Sequence, residues 1–140
     1  MWRSLDQKRI LVVDDDEAVL GTVARILELE GYIVETARTG REAIEKSRLD
    51  AYHLAIIDIR LPDMDGTDLL TTMRDKTPTT PRMIKIMLTG YASAGDRTPM
   101  IRENADGYLV KPIEVDALLK TIRDHLQKQE NTGHGANPTT

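Results

Sequence analysis

The sequence predicts one α/β domain, a doubly wound (βα)5 arrangement in which a five-stranded parallel sheet carries helices on both faces. Two observations predict it. Short aliphatic runs alternate along the 140 residues with longer stretches whose apolar residues recur at helical spacing, the pattern that buries parallel strands beneath covering helices. A composition of 40% hydrophobic and 30% charged residues supplies one proper core and little material for a second.

The first run, "RILVVDD", is short, continuous and aliphatic and reads as a central buried strand. "EAVLGTVARILELEG" sets Leu20, Val23, Ile26 and Leu27 at helical spacing and closes on Gly31, which suits a left-handed C-terminal cap. "YIVETA" reads as the second strand, and "TGREAIEKSRL" as a helix in which Thr39 and Glu42 have the spacing of a capping box. The third strand, "HLAIID", runs into the turn signals "LPDMDG" and the helix "TDLLTTMRD". A loop punctuated by Pro78 and Pro81 leads to the strand "MIKIML". Between Tyr91 and Tyr108, Gly95 and Pro99 interrupt any long helix, so a short one is expected to start late, with Thr98 as N-cap and Pro99 at its first position. "GYLV" is the fifth strand. The last helix, "EVDALLKTIRDHLQKQ", keeps Val115, Leu118, Leu119, Ile122 and Leu126 on one stripe. Periodicity ends at Gln129, which divides the chain into a flexible leader 1–7, a domain 8–129 and a tail 130–140, expected to be disordered or the start of a linker.

Composition also excludes functions. Without cysteine there are neither disulfides nor thiolate metal sites. His53, His125 and His134 lie too far apart in sequence for metal-site spacing. A net charge of −4 with scattered basic residues leaves no footprint for direct nucleic acid binding. The leader is too short and polar for a signal peptide and no apolar run approaches the roughly 18 residues of a membrane span, so a cytoplasmic protein without a membrane partner is expected.

In doubly wound sheets ligands bind outside the carboxyl ends of the strands, where strand order reverses. Asp14 and Asp15 follow the first strand, Asp58 ends the third, Thr89 follows the fourth and Lys111 the fifth, so all five should converge on one rim. Asp16 is the natural cap of the first helix. Asp58 lies inside the aliphatic "AIIDI", where an isolated charge costs several kcal/mol unless it is paired or metal-bound. Crowded carboxylates repel and raise one another's pKa unless a cation joins them. Oxygen-only ligands with room for water suit Mg²⁺. A lysine and a hydroxyl on the same rim are what a transferred phosphoryl group needs, with an in-line carboxylate as nucleophile.

The ordered set "VVDDDE", "AIIDIRLPDMDG", "MLTGYAS" and "ADGYLVKP" resembles the receiver domain of two-component response regulators, including its chemotaxis-type single-domain members, from about Lys8 to about Lys128. The separations are also those of that family: 43 residues from Asp15 to Asp58, 31 from Asp58 to Thr89 and 22 from Thr89 to Lys111. The resemblance implies a flavodoxin-like fold with strand order 2-1-3-4-5. It implies that Asp58 accepts a phosphoryl group from a phosphohistidine on a sensor histidine kinase or phosphotransfer protein. Asp15 would bind Mg²⁺ directly, Asp14 through water and Arg60 through its backbone carbonyl, while Lys111 and Thr89 hold the phosphoryl oxygens. Thr89 and Tyr108 match the family's switch pair. Chemistry would stop at self-catalysed transfer to Asp58 and its slow hydrolysis, so no enzyme acting on a separate substrate is implied.

The output face would be the segment after Tyr91, the fifth strand and the last helix, engaging an unidentified downstream protein; homodimer formation stays open. Arg60 and Tyr91 occupy the positions that tune acyl-phosphate lifetime in the family, and their bulk predicts a long-lived phosphorylated state. Two other readings compete. "VVDDDEA" also fits the start of haloacid-dehalogenase-like phosphatases, with Asp14 as nucleophile and Asp16 as acid/base, but that reading leaves Asp58 without a role. The other is an interaction module that uses the fold without phosphorylation.

Overall fold

A computed structural model describes residues 7–74, 83–90 and 105–135. The five aliphatic runs form β1 (Arg9–Val13), β2 (Ile33–Ala37), β3 (Leu54–Asp58), β4 (Ile84–Thr89) and β5 (Gly107–Val110). They assemble into one sheet in the expected order, β2-β1-β3-β4-β5, and every pairing is parallel. Helices α1 (Glu17–Leu29), α2 (Gly40–Leu49), α3 (Gly66–Arg74) and α4 (Val115–Gly135) cover it. The short helix expected from Thr98, and the loop with Pro78 and Pro81, lie outside the described residues.

The period-two alternation of strand side chains sorts the core into two layers. Ile10, Val12, Leu54, Ile56, Ile86 and Leu88 pack against Leu20, Val23 and Leu27 of α1 and Leu118, Ile122 and Leu126 of α4. Leu11, Val13, Ala55, Ile57 and Met87 face Ala43 of α2 and Leu69, Leu70 and Met73 of α3. β1, β3 and β4 are therefore buried on both sides, which is why their sequences run aliphatic without alternation.

Caps set the helix limits. Asp16 accepts from the amides of Ala18 and Val19 at 2.9 and 3.3 Å and starts α1. Gly31, at φ +102°, ends it: its amide donates to Glu28 O at 3.0 Å and that of Tyr32 to Leu27 O at 3.1 Å, the paired closure that needs a left-handed residue. Thr39 accepts from Glu42 N at 3.0 Å. The return bond from the Glu42 carboxylate reaches Arg38 N at 2.9 Å rather than the amide of Thr39 itself.

One boundary is corrected. The helix α4 runs to Gly135, so the coil expected from residue 130 is helical through residue 135. Once the apolar stripe fixes a helix, each further residue adds a backbone hydrogen bond without a new nucleation cost. Among the described residues no helix is long and apolar enough to cross a membrane.

Register brings the strand ends level. Val13 pairs with Ile57, Asp58 with Leu88 and Thr89 with Val110. The residues that follow β1 and β5, and those that end β3 and β4, therefore share the rim at the carboxyl edge of the sheet.

Candidate functional site: an acidic rim with one buried lysine contact

Asp14 and Asp58 end neighbouring strands in the same way. The Oδ1 atom of Asp14 accepts from Asp16 N at 3.0 Å, and Oδ1 of Asp58 accepts from Arg60 N at 3.1 Å. Each is a local turn in which a short carboxylate ties down the amide two residues on. The other oxygen of each carboxylate then faces the crevice between the two loops. Lys111 reaches into that crevice: its Nζ lies 3.2 Å from Asp58 Oδ2 in a hydrogen bond and 2.9 Å from Asp14 Oδ2. The Asp14 contact is an ion pair to an oxygen of a fully buried aspartate, whose one close cationic neighbour among the described residues is Lys111.

Electrostatics follow from the crowding. Burial pushes the Asp58 carboxyl above its usual range; the neighbouring Asp14 charge adds to this, and the Arg60 amide and Lys111 oppose it. For Lys111 burial acts to lower the pKa, but Asp14 and Asp58 together outweigh it and hold the ammonium charged above its ordinary range.

The structure brings Asp14, Asp15 and Asp58 together, with one ligand oxygen of each within 4.8 Å of the others. Oxygens on opposite sides of a Mg²⁺ ion stand twice a bond of about 2.1 Å apart, roughly 4.2 Å. Small side-chain adjustments let the three share one octahedral shell. The all-oxygen donor set, with two of its three carboxylates buried, fits a hard divalent cation. Asp15 is exposed at the mouth, Asp58 is 9% exposed, and the Arg60 side chain points to solvent.

Thr89 closes β4 as a buried residue, and its carbonyl accepts from Lys111 N at 2.8 Å, so the two residues are fixed to each other through backbone. Tyr108, on the edge strand β5, is 54% exposed. Tyr91 lies outside the described residues. Asp16 caps α1 through its Oδ1 atom. The Lys111 contact to Asp14 was not legible in the spacing, because it depends on which strands end up adjacent. Arg38 pairs with Glu17 at 2.8 Å across the same rim, an exposed contact that the sequence did not announce either.

The family model described as the response regulator receiver domain matches residues 10–123. The cell cycle transcriptional regulator CtrA of Caulobacter vibrioides is 32% identical over 126 residues, 90% of this chain and 52% of that protein. The chain thus spans about half the length of the curated relatives it matches. A CheY-like response regulator receiver domain protein from Methanospirillum hungatei JF-1 superposes with a TM-score of 0.81 at 44% identity, covering 90% of this chain and 98% of that one. A response regulator protein from Burkholderia pseudomallei, solved with a phosphorylated aspartic acid, a calcium ion and citrate, gives 0.74 at 30% identity, covering 94% and 76%.

Proposed function

Since the chain belongs to the response regulator receiver domain family, we propose that it is the phosphoacceptor switch of a two-component relay, with Asp58 taking a phosphoryl group from a phosphohistidine on a sensor kinase or phosphotransfer protein. One observation carries this assignment: Lys111 holds its ammonium between the free oxygens of Asp14 and Asp58. A carboxylate oxygen of Asp58 forms the new P–O bond as the P–N bond to the donor imidazole breaks in line, and the imidazole leaves with a proton. Lys111 follows the charge that moves onto the phosphoryl oxygens, and Thr89 donates its hydroxyl hydrogen to one of them. Asp14, Asp15, Asp58 and the Arg60 carbonyl are the groups that would hold Mg²⁺. That ion supplies positive charge beside the transferred group.

The same geometry argues against Asp14 as a phosphatase nucleophile. Asp14 is fully buried with one oxygen tied to Asp16 N, and Asp16, the acid/base of that reading, has its Oδ1 turned to the amides of Ala18 and Val19 as a helix cap. A relative solved with a phosphorylated aspartic acid supports the receiver reading over an interaction module that dispenses with phosphorylation.

Phosphorylation adds roughly −1.5 to −2 charge and three acceptor oxygens at the rim. Thr89 and the exposed Tyr108 then form the two-state element, biasing the face around β5 toward a downstream partner. The bulk of Arg60 beside Asp58 hinders an attacking water and prolongs the phosphorylated state; a half-life of seconds would count against this. No chemistry beyond transfer to Asp58 and its hydrolysis is assigned.

The test is intact mass after incubation with acetyl phosphate and Mg²⁺. One adduct is expected, absent with EDTA and absent in Asp58→Asn. An adduct that survives in Asp58→Asn and disappears in Asp14→Asn would move the assignment to the phosphatase reading. No adduct in any folded sample, with the sensor kinase domain also failing to transfer, would leave only the interaction module.

A further inference from the structure

The turn that follows Asp58 is fastened at both ends. At one end Arg60 N binds Asp58 Oδ1 at 3.1 Å. The turn closes on itself through a bridge between Arg60 and Asp65, with Leu61 N on Met64 O at 3.2 Å and Gly66 N on Ile59 O at 2.6 Å. Its other end grips a different element: Asp63 Oδ1 accepts from Gly40 N at 2.8 Å and Oδ2 from Arg41 N at 2.9 Å. Thr39 already takes the amide of Glu42. The first three N–H groups of α2 are thus satisfied, two of them by a carboxylate more than 20 residues away in sequence.

A second contact reinforces the first. The Met64 side chain lies against Gly40, where a Cβ would stand, so the turn and the start of α2 are in direct contact there and a larger residue at 40 would have to push the Met64 side chain aside. The competing tie across the rim, Arg38 to Glu17, joins side chains that are 57% and 72% exposed, and such pairs are worth little. Asp63 is itself exposed, but its two oxygens meet backbone amides held in place by α2 rather than a second mobile side chain.

We propose that Asp63 is a positioning residue for the cation site, holding the 59–65 turn against the N-terminus of α2 so that the Arg60 backbone stays fixed beside Asp58. The inference rests on the reading of the rim as a Mg²⁺ and phosphoryl site. It makes α2 part of the cation site without contributing a ligand, so coupling runs both ways: Mg²⁺ binding tightens the joint, and loosening the joint weakens Mg²⁺ binding.

The experiment is a Mg²⁺ titration followed by amide NMR on the full chain and on Asp63→Ala, Asp63→Asn and Thr39→Ala. Asp63→Ala is expected to raise the Mg²⁺ Kd about tenfold, the usual effect of losing a group that orients a ligand. Asp63→Asn keeps one acceptor oxygen and falls between. Thr39→Ala removes a cap from the same helix while leaving the Asp63 contacts in place, so it lowers the thermal midpoint and raises Kd by less than Asp63→Ala does. Mg²⁺ is expected to slow hydrogen exchange at Gly40 and Arg41 in the parent chain and not in Asp63→Ala. Asp63→Ala or Asp63→Asn with the parent Kd and only a lowered thermal midpoint would overturn the inference. A parent chain that binds no Mg²⁺ would instead overturn the cation reading beneath it.

Discussion

Lys111 Nζ lies 2.9 Å from Asp14 Oδ2 although the strands that deliver them are not neighbours: β3 and β4 stand between β1 and β5. The side chain crosses the whole crevice at the carboxyl edge to reach a carboxylate that is completely buried. It is therefore a structural cation as well as a proposed phosphoryl ligand. Breaking a fully buried pair costs about 3–5 kcal/mol; with the Lys111 side chain 27% exposed, about 2 kcal/mol is the expected loss for Lys111→Met after allowing for solvent screening.

The pH dependence of that loss has a defined sign. Because the pKa of Lys111 is raised in the fold above its ordinary 10.5, its contribution is complete below that value and disappears as pH rises through the folded pKa. Urea unfolding of the parent and Lys111→Met should show a constant gap through neutral and mildly alkaline pH, closing only above about pH 10.5. A gap that closes near neutrality would mean that the lysine is not held by Asp14 and Asp58.

Asp58 carries the opposite burden. Its folded pKa is raised, first by burial and then by Asp14, so the folded state binds its proton more tightly than the unfolded chain does. Stability then falls as pH rises through the interval above the usual carboxylate pKa, and at neutral pH the ionised side chain is a net cost. Asp58→Asn should be more stable than the parent at pH 7, by about 1 kcal/mol, the ordinary size of a single-site effect. Mg²⁺ at ten times its Kd should return about 1.4 kcal/mol to the parent and less to the variant. Thermal scans with and without Mg²⁺ check both signs, and a less stable Asp58→Asn without Mg²⁺ would contradict the electrostatic account.

What the sequence revealed and what it hid divide along a physical line. β1, β3 and β4 were legible because burial on both faces forbids polar residues, and Asp58 stood out against that rule. Asp16, Thr39 and Gly31 were legible because caps act within a few residues. Contacts between different β–α units were not: Asp63 on α2, Lys111 on Asp14 and Arg9 on Glu35 at 3.0 Å each pair residues whose proximity only the assembled sheet creates. The end of α4 was misjudged because its final turns add no apolar residue to the stripe, and backbone propagation alone leaves no sequence pattern.

Two glycines separate stability from site geometry. Gly31 sits at φ +102° with nothing within 4 Å of an added Cβ, so Gly31→Ala meets only backbone strain, about 1–2 kcal/mol. It lies at the C-terminal end of α1, away from the acidic rim, and phosphorylation of the folded variant should proceed at the parent rate. At Gly66 the problem is contact: an added Cβ would collide with the Asp58 carbonyl oxygen and stand 3.0 Å from Ile59 Cα, backbone atoms that cannot step aside as a side chain can. Gly66→Ala should therefore cost at least about 2 kcal/mol and also displace Asp58, slowing acetyl phosphate labelling by a larger factor than Gly31→Ala under conditions where both are folded. Equal labelling rates for the two variants would show that the Asp58 backbone tolerates the displacement and that the close seat of α3 on β3 serves packing alone.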